Sequence, residues 1–488
     1  MSLQRRLGHF DKFRVAGLLV IICAYALGVF KVSFWSDDYP ALLGTRAMAD
    51  HLLSDGRPTS SALLSVSFSM LKDPANAWML RSLALVAVLL IFLFVSKSIS
   101  GSKHYTLGVL SIAIALCLPS FQMYVHWSTA WYYPWATLAG LYAFQLWSSK
   151  QTIKKILAVL LLVLALTTYP PAAMFFFAAI SVTNVLIQSE TRKFFTEVIQ
   201  GLVLFVISVI ASTILVFTTL HIAGVSPSQR VKLLTISEIP NKIFWLFTRP
   251  FVVGLRPFMI DSPTPKFAIL TSLPILIILF LGVLRQSRQL GELFLYRAIA
   301  IGLPLIMALI PIIATPDNQI EFRILPGYCW GLAAIGSFFL LVEIKTWLEV
   351  LNVKGKPKSA AILSVSIFLS FIAIASVNSH YTQLFGDPYH KKNAFLNAKI
   401  SSCLSNRLTE KILIIPPKES FPSFARLGVF SMSTDLASTW VPEPNVQLLL
   451  RERKINIPVA YSEVRPLNLD VAKMNCVIDL EEFRKLLS

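Results

Sequence analysis

Residues 15–40 read VAGLLVIICAYALGVFKVSFWSDDYP. The run from Val15 to Phe34 is interrupted by only one charge, Lys31. It matches the roughly 20 apolar residues that a helix needs to cross the hydrocarbon core of a bilayer. Two adjacent carboxylates, Asp37 and Asp38, follow at once. The stretch therefore reads as a membrane helix that delivers a carboxylate pair to the membrane surface. Ala24-Tyr25-Ala26 mimics a signal-peptide cleavage site, but the apolar run continues past it, so an uncleaved first helix is expected. On either reading, the loop from about Ser33 emerges outside.

Working outward, further apolar runs begin near Ala77, Tyr105, Ala130, Ile156, Pro171, Gly201, Phe267, Ala298, Leu325 and Ala360. With the first they predict about eleven transmembrane helices. The runs at Tyr105 and Ile156 are short, and the Pro170-Pro171 break makes the fifth and sixth a candidate re-entrant pair. Composition agrees with a polytopic membrane protein. Of 488 residues, 55% are hydrophobic and 14% charged, with mean hydropathy +0.66. A soluble globular chain carries roughly 25% charged residues, so a cytosolic enzyme, a disordered protein and a small disulfide scaffold are excluded. The net charge of +18 reflects basic cytoplasmic loops and contacts to anionic lipids or phosphates, not nucleic acid.

Basic residues concentrate in the loops that are cytoplasmic if the N-terminus is cytoplasmic, for example Arg5, Arg6, Lys154, Lys155, Arg192 and Arg285. An odd number of crossings then places the C-terminus outside. The expected organisation is a transmembrane region over 1–377 and a small α/β domain over 378–488, periplasmic in a bacterial inner membrane. In that second region polar residues and prolines rise and short β-like runs such as Ile412–Ile415 appear. Its two cysteines, Cys403 and Cys476, are a candidate disulfide in an oxidising compartment. No Cys or His cluster has metal-ligand spacing.

Three expected outer segments carry candidate chemistry. The first holds Phe34, Trp35, Asp37, Asp38 and Tyr39, and continues to Gly56-Arg57-Pro58. Close carboxylates repel, so one can hold a raised pKa and serve as a base near neutrality. Trp35 and Tyr39 offer flat faces for a sugar ring. The alternative is an aromatic belt with ordinary interfacial charges. The second segment, from about Ile222 to Lys266, interleaves Arg249 and Arg256 with aromatic residues, as a phosphate headgroup site would need. Snorkelling cations on a surface helix are the alternative. The third, Asp317 to Arg323, puts Arg323 at the hydrocarbon edge, where it needs a partner such as a lipid phosphate or an internal carboxylate.

The Asp37-Asp38 pair just outside the first helix, followed by Gly56-Arg57-Pro58, resembles the bacterial O-antigen glucosyltransferase family called glucosyltransferase II. These are serotype-converting enzymes with the polytopic GT-C architecture. The motif covers a short part of the chain, with length and topology in support. The resemblance implies glucose transfer from undecaprenyl-phosphate glucose to O-antigen or another glycan acceptor, by inversion, with no cofactor and no catalytic metal. It implies Asp37 or Asp38 as base, and Arg57, Arg249, Arg256 and Arg323 as candidates for holding the donor phosphate. Chemistry supports a lipid-linked donor independently, because nucleotide sugars and ATP are not expected outside the inner membrane.

Other readings are an O-antigen polymerase or ligase, a GT-C transferase acting on lipid A or protein, and a lipid or polysaccharide flippase. A flippase predicts charged residues inside the spans and two related halves. The sequence shows few of the first and none of the second.

Overall fold

The computed structural model describes residues 11–44, 46–71, 73–256, 265–316, 318, 322–351, 356–405, 409, 411–418, 436, 441–462 and 476–487. Helices dominate. In chain order they are α1 (Lys12–Phe30), α2 (Asp38–Leu42), α3 (Arg46–Ser54), α4 (Pro58–Leu71), α5 (Ala77–Ser98), α6 (Tyr105–Ala115) and α7 (Pro119–His126). Then come α8 (Tyr133–Trp147), α9 (Thr152–Thr168), α10 (Pro170–Ala173), α11 (Phe175–Ile187), α12 (Thr191–Ala223), α13 (Ile239–Thr248) and α14 (Pro250–Gly254). The rest are α15 (Pro265–Leu290), α16 (Phe294–Met307), α17 (Ile310–Ile313), α18 (Pro326–Val350), α19 (Lys356–Tyr381) and α20 (Asp387–Ser405). A short unit follows: β1 (Ile412–Ile415), α21 (Pro442–Glu452), β2 (Val459–Tyr461), β3 (Val477–Asp479) and α22 (Leu480–Leu487).

Every apolar run in the sequence forms a helix, but not every helix is long enough to cross a bilayer. Among the described residues seven helical stretches have the length and hydropathy to do so, or eight if α6 and α7, bent by 57°, form one broken span. The expected count of eleven is therefore not reached on length. The shortfall is α8, α9 and α16, with 15, 17 and 14 residues. At 1.5 Å per residue these measure about 21 to 26 Å, short of a core about 30 Å thick.

The centre of the bundle is α11, whose side chains are almost all buried between neighbouring helices, with Phe175 against Trp330 of α18. The outer helices α9, α12 and α19 instead expose large apolar side chains such as Leu160, Ile210, Ile214 and Phe368. That surface suits lipid rather than water. Gly140 lets α8 meet the chain at Ala173, where a Cβ would come within 2.4 Å of the Ala173 carbonyl oxygen.

The last helical path does not stop where composition changes. It runs from α19 through a π-helical turn, Thr382–Gly386, into α20. The expected boundary at 377/378 thus lies inside a helix. Beyond it, β1 is the central strand of a parallel sheet in the order β2-β1-β3. Ile412 pairs with Val459 and Leu413 with Val477. Parallel neighbours need a crossover, and α21 lies between β1 and β2 in the chain.

Cys403 of α20 is disulfide-bonded to Cys476 beside β3, with Cα atoms 5.3 Å apart and a sequence separation of 73. A closed loop of that length stabilises by about 4 kcal/mol through lost chain entropy. Alkylation of denatured protein without reductant should spare these two thiols and label Cys23, Cys117 and Cys329. Labelling of all five would refute the bond.

Candidate functional site

The first loop turns sharply after α1. Ser36 takes φ +43°, a region that non-glycine residues enter rarely and that often marks a constrained site. The chain then starts α2, with Asp37 at its N-cap and Asp38 as its first residue. Successive residues on a helix diverge by about 100°, so the adjacent carboxylates part. Asp38 turns inward and is fully buried. Its carboxylate accepts the Trp35 N–H at 3.1 Å and the Thr129 N–H at 2.8 Å. Asp37 stays partly exposed and accepts the Ser36 hydroxyl at 3.2 Å. Burial pushes the Asp38 carboxyl up to about 7, against the lowering effects of Arg81 and the two backbone N–H groups. The raised pKa expected of the pair is present, but burial causes it, and repulsion from Asp37 contributes least.

The three outer segments meet at one end of the bundle. Arg57 leads into α4 after Gly56, whose φ of +74° makes the turn. Its guanidinium lies 5.0 Å from the Tyr169 ring. Tyr169 stacks on Tyr133 with centroids 3.8 Å apart and planes 8° from parallel. The Arg323 guanidinium lies 4.7 Å from the Trp127 ring. The Tyr124 hydroxyl donates to the Arg323 carbonyl at 2.8 Å, and the Trp127 indole N–H donates to the Trp35 carbonyl at 3.2 Å. Arg57 and Arg323 are near enough to act on each other electrostatically, and Arg57 and Asp37 both act on Tyr132. The result is a partly exposed carboxylate and two arginines around a tyrosine cluster.

Other expected site residues lie elsewhere or face inward. Trp35 and Tyr39 are 8% and 3% exposed, so their rings do not present the open faces expected for sugar stacking. Trp35 packs against Phe385, and the Lys392 ammonium lies 4.1 Å from the Tyr39 ring and donates to its hydroxyl. Both rings serve to seat the loop on the α19–α20 segment. Arg249 is exposed at the end of α13. Arg256 is buried and donates from Nε to the Thr271 hydroxyl on α15 at 2.8 Å. No described contact brings either to Asp37. Asp317 and Glu321 lie outside the described residues.

Sequence reasoning did not single out Arg81, Lys392, Tyr133 or Tyr169 as site residues. Arg81 was detectable as one basic residue in the apolar run after Ala77. Nothing in the sequence links Lys392 to Tyr39, because that contact is purely tertiary.

Two further carboxylates of the first outer segment, Asp50 and Asp55, have different surroundings. Asp50 makes an exposed 3.6 Å pair with Arg46. The side chain of Asp55 is 1% exposed, pairs with Arg230 at 2.9 Å and accepts the Ser228 hydroxyl at 2.7 Å. It clamps the first loop to the segment after α12. Burial raises the Asp55 carboxyl, but Arg57, Ser228 and Arg230 together outweigh it and hold the group below its ordinary range. A depressed folded-state pKa gives stability that is complete above the ordinary value of about 3.9 and is lost as pH falls through the folded value. Asp55→Asn should therefore lower the melting temperature of purified protein at pH 7, and the gap from wild type should close only below about pH 4. A gap that already closes at pH 6 would contradict the clamp.

No protein-family model matches the sequence, and no curated protein is similar to it. Solved structures are similar over most of the chain, two of them being archaeal oligosaccharyltransferases. One is the archaeal oligosaccharyltransferase AglB from Archaeoglobus fulgidus in complex with an inhibitory peptide and a dolichol-phosphate. The match has 13% identity and a TM-score of 0.41, and covers 88% of this chain and 64% of that one. The other is the Archaeoglobus fulgidus oligosaccharyltransferase tethered to an acceptor peptide, at 12% identity and TM-score 0.42, covering 91% of this chain and 68% of that one. This chain thus spans about two thirds of the length of those enzymes. A likeness this low assigns neither a family nor an activity.

Proposed function

We propose that this protein is an integral-membrane glycosyltransferase of GT-C type, moving glucose from undecaprenyl-phosphate glucose to O-antigen. The observation that supports it most is that Arg57 lies against the Tyr169–Tyr133 stack, acts electrostatically on Arg323 and, like Asp37, acts on Tyr132. In this reading the end of the bundle that carries these residues, and the unit after α20, face the periplasm of a bacterial inner membrane, which the excess of basic residues in the expected cytoplasmic loops supports. A donor held there by a lipid tail brings its own leaving group.

In the proposed step, an acceptor hydroxyl oxygen attacks the anomeric carbon from the face opposite the phosphate. Asp37 takes the hydroxyl proton as the new carbon–oxygen bond forms. The bond from the anomeric carbon to the phosphate oxygen breaks, and its electron pair stays on the phosphate. Arg57 and Arg323 meet the charge that grows there. Asp38 acts through the backbone, holding the turn that presents Asp37. Trp35 and Tyr39 take no part as stacking faces in this reading, and Arg249 and Arg256 are not included in the phosphate site.

Mass spectrometry of lipopolysaccharide from cells with and without the gene tests it. A gain of one hexose per O-antigen repeat is expected. No mass change in O-antigen, with a hexose appearing on protein or lipid A, would replace the acceptor. No hexose anywhere would overturn the transferase reading.

A further inference from the structure

We infer that Arg81 is a positioning residue for the proposed base, one that ties the end of the first membrane helix to the buried Asp38 carboxylate. The inference rests on the glycosyltransferase reading above. Arg81 stands one turn into α5 and is 1% exposed. Its Nη1 donates to the Gly28 carbonyl at 3.1 Å and to the Lys31 carbonyl at 2.8 Å, and its Nη2 donates to the Ser33 carbonyl. The last carbonyls of a helix have no partner within it. One guanidinium therefore satisfies the end of α1 and fixes the first residues of the carboxylate loop. A planar fork can bridge several carbonyls at once, whereas an ammonium is a point charge on a flexible stem.

A buried cation also needs a counter-charge. Asp38 supplies it, acting on Arg81 more strongly than Tyr381 or Tyr389. Among the described residues, the other groups that act on Arg81 are Tyr381 and Tyr389; His126 lies beside the same site, and Tyr381 donates to the Lys31 carbonyl at 3.3 Å. Around Asp38 itself the charged groups are Arg81 from α5 and Asp37 from its own loop, and the turn after α7 gives only the Thr129 N–H. Lys392 reaches the loop through Tyr39. Asp38 is thus held by two backbone donors and feels the charge of Arg81, and its neighbour Asp37 is partly exposed.

The test uses full-length protein in proteoliposomes with undecaprenyl-phosphate [14C]glucose and O-antigen acceptor. Arg81→Gln should lower kcat about tenfold or more while KM for the donor stays within about twofold, because a misplaced base harms the transition state more than donor binding. Residues acting as one unit are non-additive, so Arg81→Gln with Asp38→Asn should be no slower than the worse single variant. Removing the cation also favours protonated Asp38, so the acid limb of the pH–rate profile should move to higher pH in Arg81→Gln. Arg81→Lys should restore the limb, because it keeps the charge, but not the full kcat. Losses that multiply in the double variant, or an unmoved acid limb, would overturn the inference. If Arg81→Gln does not accumulate in membranes, adding Asp38→Asn should restore accumulation by removing the stranded carboxylate. Failure to restore it means that Arg81 is only a helix cap. Wild-type protein that transfers no glucose refutes the underlying function instead, and leaves the restoration assay to judge the Arg81–Asp38 pair.

Discussion

Asp37→Asn should reduce glucose transfer by about 10² to 10⁴, the range typical for loss of a general base, at unchanged membrane abundance. Asparagine keeps the shape of the side chain and can still accept the Ser36 hydroxyl, but it cannot take a proton. Asp37 is partly exposed and its side chain does not cap α2, so folding should survive the change. Asp38→Asn should behave differently. Its carboxylate accepts two backbone N–H groups, and an amide placed there can turn only one oxygen toward them. The expected result is a smaller loss of rate with lower thermal stability, because the turn before α2 loosens. Asp50→Asn should leave transfer near normal, because its pair with Arg46 is exposed and such pairs contribute little. The assay is transfer from labelled donor by each variant in membranes. Near-normal transfer by Asp37→Asn would place the base elsewhere. Total loss in Asp38→Asn with full activity in Asp37→Asn would exchange their roles.

The two carboxylates also show where sequence reading stops. Adjacency in an outer loop pointed to chemistry, but gave no means to rank Asp37 against Asp38. The ranking comes from the start of α2, where Ser36 at φ +43° and the turn of the helix send one side chain inward. Apolar runs gave the helices well, because hydropathy over about 20 residues is a strong local signal. Their count of eleven crossings is not reached on length among the described residues, because α8, α9 and α16 are apolar but short. The composition change near 378 falls inside α19, since polar residues can continue a helix once it leaves the apolar core. Trp35 and Tyr39 misled for a related reason. An aromatic near a membrane end fits a sugar platform or a packing surface equally well, and only the α19–α20 segment, more than 300 residues later in the chain, decides between them.

Arg57→Gln and Arg323→Gln should each lower kcat by about 10² to 10³, the loss seen when one preorganised donor to a developing oxyanion is removed. Arg57 lies against Tyr169 and Arg323 against Trp127, and the proximity of the two cations is itself unfavourable, since each opposes the charge of the other. Asp55 offsets part of that cost at Arg57. An anion placed between the two would relieve the rest, and the relief should grow as the leaving phosphate gains charge. For that reason the loss should fall on kcat more than on KM for the donor. Arg57→Lys and Arg323→Lys should recover only part of the rate, because an ammonium lacks the planar fork that lies against Tyr169 or Trp127. Arg249→Gln is the control, exposed at the end of α13 and expected to stay within about threefold of wild type. Steady-state kinetics in proteoliposomes decide the matter. If both glutamine variants raise KM with kcat unchanged, the arginines bind the donor but do not stabilise its departure. If both keep wild-type kinetics, the phosphate leaves from another part of the surface.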